Sequence, residues 1–78
     1  MDIKNGDIIT LLIKSNKSKN IIRQWGDKWL VCATSNRLPA CDNRPALFIV
    51  PNSLDEKAND ARRWIAVEND RDFGIVRH

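Results

Sequence analysis

Short apolar runs recur along the chain, and polar turn-forming segments separate each run from the next. The first run, Ile8–Ile13, is short and rich in β-branched residues, so a strand fits it better than a helix. Six such runs can be read from the sequence: 8–13, 21–25, 28–34, 46–50, 64–67 and 73–76. Strands joined by short turns pair antiparallel, so this pattern predicts a small antiparallel sheet.

The dipeptide Gly26-Asp27 stands between two of these runs, 21–25 and 28–34. Glycine accepts the positive φ that tight hairpin turns require, so we predict a β-hairpin centred on this dipeptide. The preceding segment, 14–20, contains only Lys, Ser and Asn residues. Such a composition predicts an exposed loop.

Two later segments interrupt the predicted strands. Residues 35–44 include Pro39 and show no apolar period, so we expect a loop of about ten residues. Ser53 and Glu56 have the spacing of a capping box, which predicts that a helix begins there. The helix would present one apolar face, formed by Leu54, Ala58, Ala61 and Ile65. Its end stays open, because 64–67 also fits a strand.

The chain has 78 residues and is 42% hydrophobic and 29% charged, which indicates one globular domain spanning 1–78. A domain this small has a thin core, and we expect Trp25, Trp29 and Trp64 to supply much of it. The predicted fold class is α+β, with a small antiparallel sheet or SH3-like barrel of about five strands. One short helix would precede the last strand or strands.

No pattern in the sequence indicates catalysis. The single histidine, His78, is the last residue, and its three glycines are scattered, so they form no phosphate-binding loop. The acidic residues fall mostly in predicted turns, and the acidic segment 68–72 lacks the spacing of a calcium loop. We therefore expect that the protein is not an enzyme and that it uses no cofactor and no metal.

Two cysteines, Cys32 and Cys41, are too far apart for a metal-binding CxxC pair. Free thiols are the expected state, and a disulfide closing the 32–41 loop is the alternative. The sequence contains no apolar stretch of about 20 residues and shows no signal-peptide pattern. A cytoplasmic protein without membrane contact is therefore expected.

The first candidate binding site is basic. Lysines crowd the segment 14–20, an arginine follows on the next predicted strand, and the net charge is +3. Cations among Ser and Asn residues could hold phosphates, and an exposed tryptophan beside them could stack on an unpaired base. The predicted nucleic-acid-binding residues are Lys14, Lys17, Lys19, Arg23 and Trp25. A solvated loop without a ligand is the simpler alternative.

The second candidate is the segment 36–45, in and just after the predicted loop. An arginine beside an apolar anchor suits a protein contact, and the residues in question are Arg37, Leu38 and Arg44. The alternative is a connector that buries Leu38.

Together these patterns predict a non-catalytic binding or regulatory module that contacts nucleic acid or a nucleoprotein through a basic loop. The alternative is a small accessory or inhibitor protein, of the kind that phages and mobile elements encode, that binds a specific host protein. A homo-oligomer formed through a free edge of the Ile8–Ile13 strand is also considered.

Overall fold

The computed structural model describes residues 3–77, the last of them by its backbone alone. The strands are β1 (Ile8–Ile13), β2 (Lys28–Leu38), β3 (Arg44–Pro51), β4 (Arg63–Ala66) and β5 (Phe73–Arg77). One α-helix, α1 (Asn16–Trp25), and two 3-10 helices, Pro39–Cys41 and Glu56–Ala61, complete the described chain. The strands predicted at 8–13, 46–50 and 73–76 are confirmed. No helix within residues 3–77 has the length and apolar character needed to cross a membrane.

The five strands form one antiparallel sheet in the order β4-β3-β2-β1-β5. A small antiparallel α+β domain is therefore confirmed. Within residues 3–77 no ladder joins β4 to β5, so the sheet is open and no closed SH3-like barrel is seen. The two edges nevertheless approach each other, because the Arg63 guanidinium carbon lies 5.9 Å from the centre of the Phe73 ring. The sheet thus curls around the core.

β1 lies inside the sheet, between β2 and β5. The expectation that Ile8–Ile13 forms a free edge is therefore wrong, and the edge strands are β4 and β5. β1 is internal because a strand pairs with it on each side, β2 after α1 and β5 at the end of the described chain.

The core forms on the inner face of the curled sheet, where alternate residues of each strand point inward. Trp29 is completely buried there, and its indole N–H donates to the carbonyl oxygen of Gly26 at 3.0 Å. The buried inner-face residues are Ile9, Leu11, Trp29, Val31, Leu47, Ile49, Ile65 and Phe73. Of the three tryptophans only Trp29 lies fully in the core, since Trp25 is half-buried and Trp64 is exposed.

The hairpin predicted at Gly26-Asp27 is wrong, and so is the loop predicted over 14–20. α1 begins after Ser15 and ends at Trp25, so it contains most of 14–20 and all of 21–25, and Gly26-Asp27 follow its end. Ser15 and Ser18 form a reciprocal capping box, in which each side-chain oxygen accepts the other residue's backbone N–H, at 3.2 and 3.0 Å. Gly26 supplies positive φ as predicted, but it does so at the end of the helix, where its N–H donates to Ile22.

The long loop predicted over 35–44 is also wrong. β2 continues to Leu38, and Leu38 pairs directly with Arg44 of β3. Only a five-residue tip, residues 39–43, joins the two strands, with Asp42 and Asn43 both at φ 58°. The pairing of β2 with β3 contains two register shifts, one of them between Ser35 and Leu38. The polar end of β2 therefore stays paired with β3 although its residues do not alternate between apolar and polar.

The predicted capping box of Ser53 and Glu56 does not form. Asp55 caps the Glu56–Ala61 3-10 helix instead, accepting the backbone N–H of Lys57 at 2.9 Å. Ala58 and Ala61 pack inward, but Leu54 is fully exposed, so the predicted apolar face is incomplete. The open question at 64–67 is settled in favour of a strand, because β4 already begins at Arg63.

Candidate functional site

α1 separates apolar and basic side chains onto opposite sides. Ile21, Ile22 and Trp25 pack against the core, and Ser18 is fully buried beneath them. A helix repeats every 3.6 residues, so the remaining residues share the solvent side. This basic face consists of Asn16, Lys17, Lys19, Asn20, Arg23 and Gln24, all exposed.

Hydrogen bonds to neighbouring segments fix α1 at both ends. At its start, the Ser15 hydroxyl donates to the Asp72 carboxylate at 2.8 Å, and the Lys14 backbone N–H donates to the Asp72 carbonyl at 3.1 Å. Just beyond its end, the Asp27 carbonyl accepts the backbone N–H of Leu11 at 2.8 Å. The basic face is therefore presented on a positioned helix and not on a mobile loop.

The predicted cations fall into two groups. Lys17, Lys19 and Arg23 are exposed on the basic face, where Lys19 and Arg23 are neighbours four residues apart and Lys17 lies on the opposite flank. Lys14 precedes the helix, and its ammonium donates to the Asp70 carbonyl at 2.7 Å. Trp25 points to the core and is half-buried. Helical geometry turns Trp25 toward the core side of α1, and its role as a stacking surface beside the lysines stays a prediction.

The charges of the protein are segregated by secondary structure. α1 and the five strands contain no Asp and no Glu; the nine acidic residues within residues 3–77 all lie in other segments. No carboxylate of the described residues lies within salt-bridge distance of Lys17, Lys19 or Arg23. The positive potential of the basic face is therefore not neutralised locally, which favours an anionic ligand.

A second exposed cluster lies on the outer face of the sheet, where the sequence analysis proposed no site. Phe48 of β3 and Trp64 of β4 are directly opposed in the ladder, with ring centres 5.2 Å apart and planes tilted by 44°. The Arg62 guanidinium carbon lies 5.9 Å from the centre of the Phe48 ring. We call Phe48, Trp64 and Arg62 the aromatic platform.

The outer face continues from this platform as a mostly apolar surface. Alternation along the strands places Leu30, Val50 and Ile8 on it, all half-buried. Farther along, Leu12 is 49% exposed and Val76 is 41% exposed. α1 and the Glu56–Ala61 helix both pack onto the core from the inner side, so neither covers this surface.

The predicted protein-binding residues lie at the end of the β2–β3 hairpin. Arg44 is engaged locally, with Nε donating to the Cys41 carbonyl at 3.3 Å and a terminal nitrogen 3.4 Å from the Asp42 carboxylate. Leu38 is half-buried and Arg37 is exposed. The structure thus brings the three residues to one end of the molecule, and the Arg37 side chain makes no hydrogen bond or ion pair with another described residue.

A shallow cleft of about 310 Å³ lies beside this hairpin end, lined by Ala40, Cys41, Asp42, Arg44, Ala66, Asp70 and Arg71. Burial, Asp70 and Asp42 raise the pKa of the Cys41 thiol, and Arg44 opposes them by lowering it. A raised pKa keeps the sulfur protonated and weakly nucleophilic. Cys32 and Cys41 are both free.

The acidic segment 68–72 has a structural role that the sequence did not indicate. The two carboxylate oxygens of Asp70 accept the backbone N–H groups of Ala66, Asp72 and Phe73 at 2.9–3.1 Å. Asp70 thus holds the turn between β4 and β5. Within residues 3–77 there is no cluster of three or more metal-ligating side chains, and His78 lies outside the described residues.

Comparison with protein-family models, with curated proteins and with solved structures found no match. A functional proposal for this chain therefore depends on its own surfaces. The two candidates are the basic face of α1 and the outer face of the sheet.

Proposed function

We propose that the protein is a non-catalytic binding module that contacts nucleic acid through the basic face of α1. One observation carries the proposal: Lys17, Lys19 and Arg23 share the exposed side of a helix that contains no acid. Because this helix is fixed at both ends, the backbone positions that present the three cations are set before any ligand binds. Preorganised charge of this kind loses less conformational entropy on binding than a flexible loop does.

The cations would bind phosphate groups, and the amide side chains among them would add hydrogen bonds. Asn16, Asn20 and Gln24 follow one another at intervals of four residues, so they form a ridge along the middle of the basic face. Amides can both donate to phosphate oxygens and pair with base edges. The basic face therefore offers anchoring charge and polar contact side by side.

The remaining features are consistent with a binding role. The free cysteines support the cytoplasmic location expected from the sequence, since reducing compartments keep thiols unpaired. The approach of Arg63 to Phe73 supports our interpretation of the curled sheet as an SH3-like barrel left open between β4 and β5. Such a scaffold would hold α1 on its surface while the sheet encloses the core.

The test is binding of labelled single-stranded and double-stranded oligonucleotides, followed by fluorescence anisotropy. Three phosphate contacts predict a loss of affinity between about 50 and 200 mM salt of roughly 40-fold for double-stranded DNA and roughly 20-fold for a single strand. The triple variant K17A/K19A/R23A should bind about tenfold or more weakly at low salt, because it removes the phosphate contacts themselves.

A matched control removes the same total charge elsewhere. Lys4, Arg37 and Lys57 are exposed and lie outside α1. If the basic face is the contact, K4A/R37A/K57A should lose only a fewfold in affinity, through the general field of the protein. Equal losses in the two triple variants would mean that net charge alone determines binding and would overturn the proposal. A salt-tolerant complex with one protein, without nucleic-acid affinity, would support the accessory or inhibitor alternative instead.

A further inference from the structure

Trp64 occupies an unusual position for a large aromatic residue in a small domain. It lies on the edge strand β4, is 38% exposed, and packs through its cross-strand neighbour Phe48. The tilted packing of the two rings at 5.2 Å holds the indole in place from one side only. A positioned but exposed indole is suited to stack on another flat ring.

The cation beside the two rings is held in place as well. Nε of Arg62 donates to the carbonyl oxygen of Asn59 at 2.8 Å, which fixes the guanidinium over Phe48. Among the described residues, no acceptor contacts the two terminal nitrogens of Arg62. The platform therefore presents hydrogen-bond donors with positive charge directly next to an aromatic surface.

The positive charge of the outer face favours an anionic ligand for this surface. Lys28 shares the outer face, where its ammonium donates to the Thr10 hydroxyl at 2.6 Å. None of the five strands contains an acid. An apolar protein surface docked here would remove the Arg62 guanidinium from water without a counter-charge, which is costly. A ligand that combines flat rings with negative charge can stack on the indole of Trp64 and also supply the counter-charge to Arg62.

We propose that the aromatic platform is a stacking site for an unpaired nucleobase, and that the ligand of this protein is therefore single-stranded nucleic acid. The inference rests on the proposed function, to which it adds the strandedness of the ligand and a second contact. The base stacks on the exposed indole of Trp64, and Arg62 binds an adjacent phosphate. A duplex cannot make this contact without unpairing, because its bases are stacked on one another.

The experiment compares two ligands that differ only in their bases: a short oligothymidylate and the same phosphate backbone built from abasic nucleotides. Both carry the charge that the basic face of α1 would bind, but only the first can stack. The wild type should bind the oligothymidylate roughly 5- to 100-fold more tightly than the abasic strand. Addition of the oligothymidylate should also quench the tryptophan fluorescence, since Trp64 is the most exposed of the three indoles.

Three variants separate stacking from apolar contact and from fold stability. W64L should lose the preference for the base-containing strand, while W64F should keep most of it because phenylalanine still stacks. L12A removes exposed apolar surface from the same outer face without removing an aromatic ring, and it should leave both affinities unchanged. Circular dichroism of each variant checks that the sheet is intact.

Equal binding of the two strands by the wild type, or an L12A loss as large as that of W64L, would overturn the stacking site. In that case K17A/K19A/R23A would still weaken both strands if α1 is the phosphate contact, so the proposed function would survive alone. A W64L effect without any effect of the α1 variant would support the platform and reject the basic face. No binding of either strand would reject both and would leave a protein as the partner of the outer face.

Discussion

β1 and α1 contain the same dipeptide in two different structures. Ile8-Ile9 begins a strand, and Ile21-Ile22 lies in the second half of the helix that follows it. In the strand, successive side chains point to opposite faces, so Ile9 is buried in the core and Ile8 is half-buried on the outer face. In the helix, successive side chains are about 100° apart, and both isoleucines reach the same core.

The difference has a functional consequence. If residues 21–25 formed a strand after a loop, as predicted from the sequence, Lys17 and Lys19 would lie on the loop and Arg23 on the strand. The helix instead places Arg23 four residues after Lys19, on the same side of one element. The predicted loop and strand thus contained the cations of the basic face but gave them the wrong relative positions.

The largest expected difference between the two dipeptides lies within β1. Ile9→Ala removes side-chain volume from a site only 1% exposed, and it should lower the free energy of unfolding by about 3 kcal/mol. Ile8→Ala, on the outer face, should cost about 1 kcal/mol, because water can fill the space. Urea denaturation of both variants measures the difference. Equal losses would mean that the two faces of β1 are equally covered.

The next effect concerns the start of α1. The Ser18 hydroxyl is fully buried and accepts the backbone N–H groups of Lys14 and Ser15, at 3.1 and 3.0 Å. Ser18→Ala leaves both donors without this acceptor and should destabilise the fold by about 2 kcal/mol. Ser53→Ala is the control, because Ser53 is exposed and accepts only the N–H of Asp55. Thermal unfolding should show a much smaller shift for the control, and similar shifts would contradict the capping box.

The smallest effect tests the helical face directly. Ile21→Ala and Ile22→Ala should each cost about 1 kcal/mol, since both side chains are half-buried against the core. The two losses should agree to within about 0.5 kcal/mol, in contrast to the pair in β1. A large loss at one position and none at the other would indicate the alternation of a strand and would reject α1 as described.

Much of the sheet could be predicted from local sequence, whereas the apolar pattern does not identify α1. β1, β3 and β5 are short apolar runs bounded by turn residues, and local chemistry is enough to identify them. In α1 the core-facing positions 18, 21, 22 and 25 have helical spacing. Three of them are apolar, but the fully buried one is Ser18. Because serine is polar, the apolar residues alone do not show the helical period, and the Gly26-Asp27 dipeptide then favours a hairpin.

Of the two candidate sites, one could be predicted from the sequence and the other could not. Lys17, Lys19 and Arg23 could be chosen from the sequence because they are close along the chain. The aromatic platform could not, because Phe48 and Trp64 meet through a strand pairing whose register is set by the whole sheet. The direction of Trp25 was also beyond local analysis, since it depends on whether its segment is a strand or a helix.

The sequence by itself determined a small antiparallel domain and a net excess of cations over acids. These properties depend on residue type and on near neighbours along the chain. Only the tertiary structure decided which of these residues share a surface. Helical period, strand register and the curl of the sheet are cooperative properties of many residues, and they placed three cations on one helix face and two aromatic rings on the outer face.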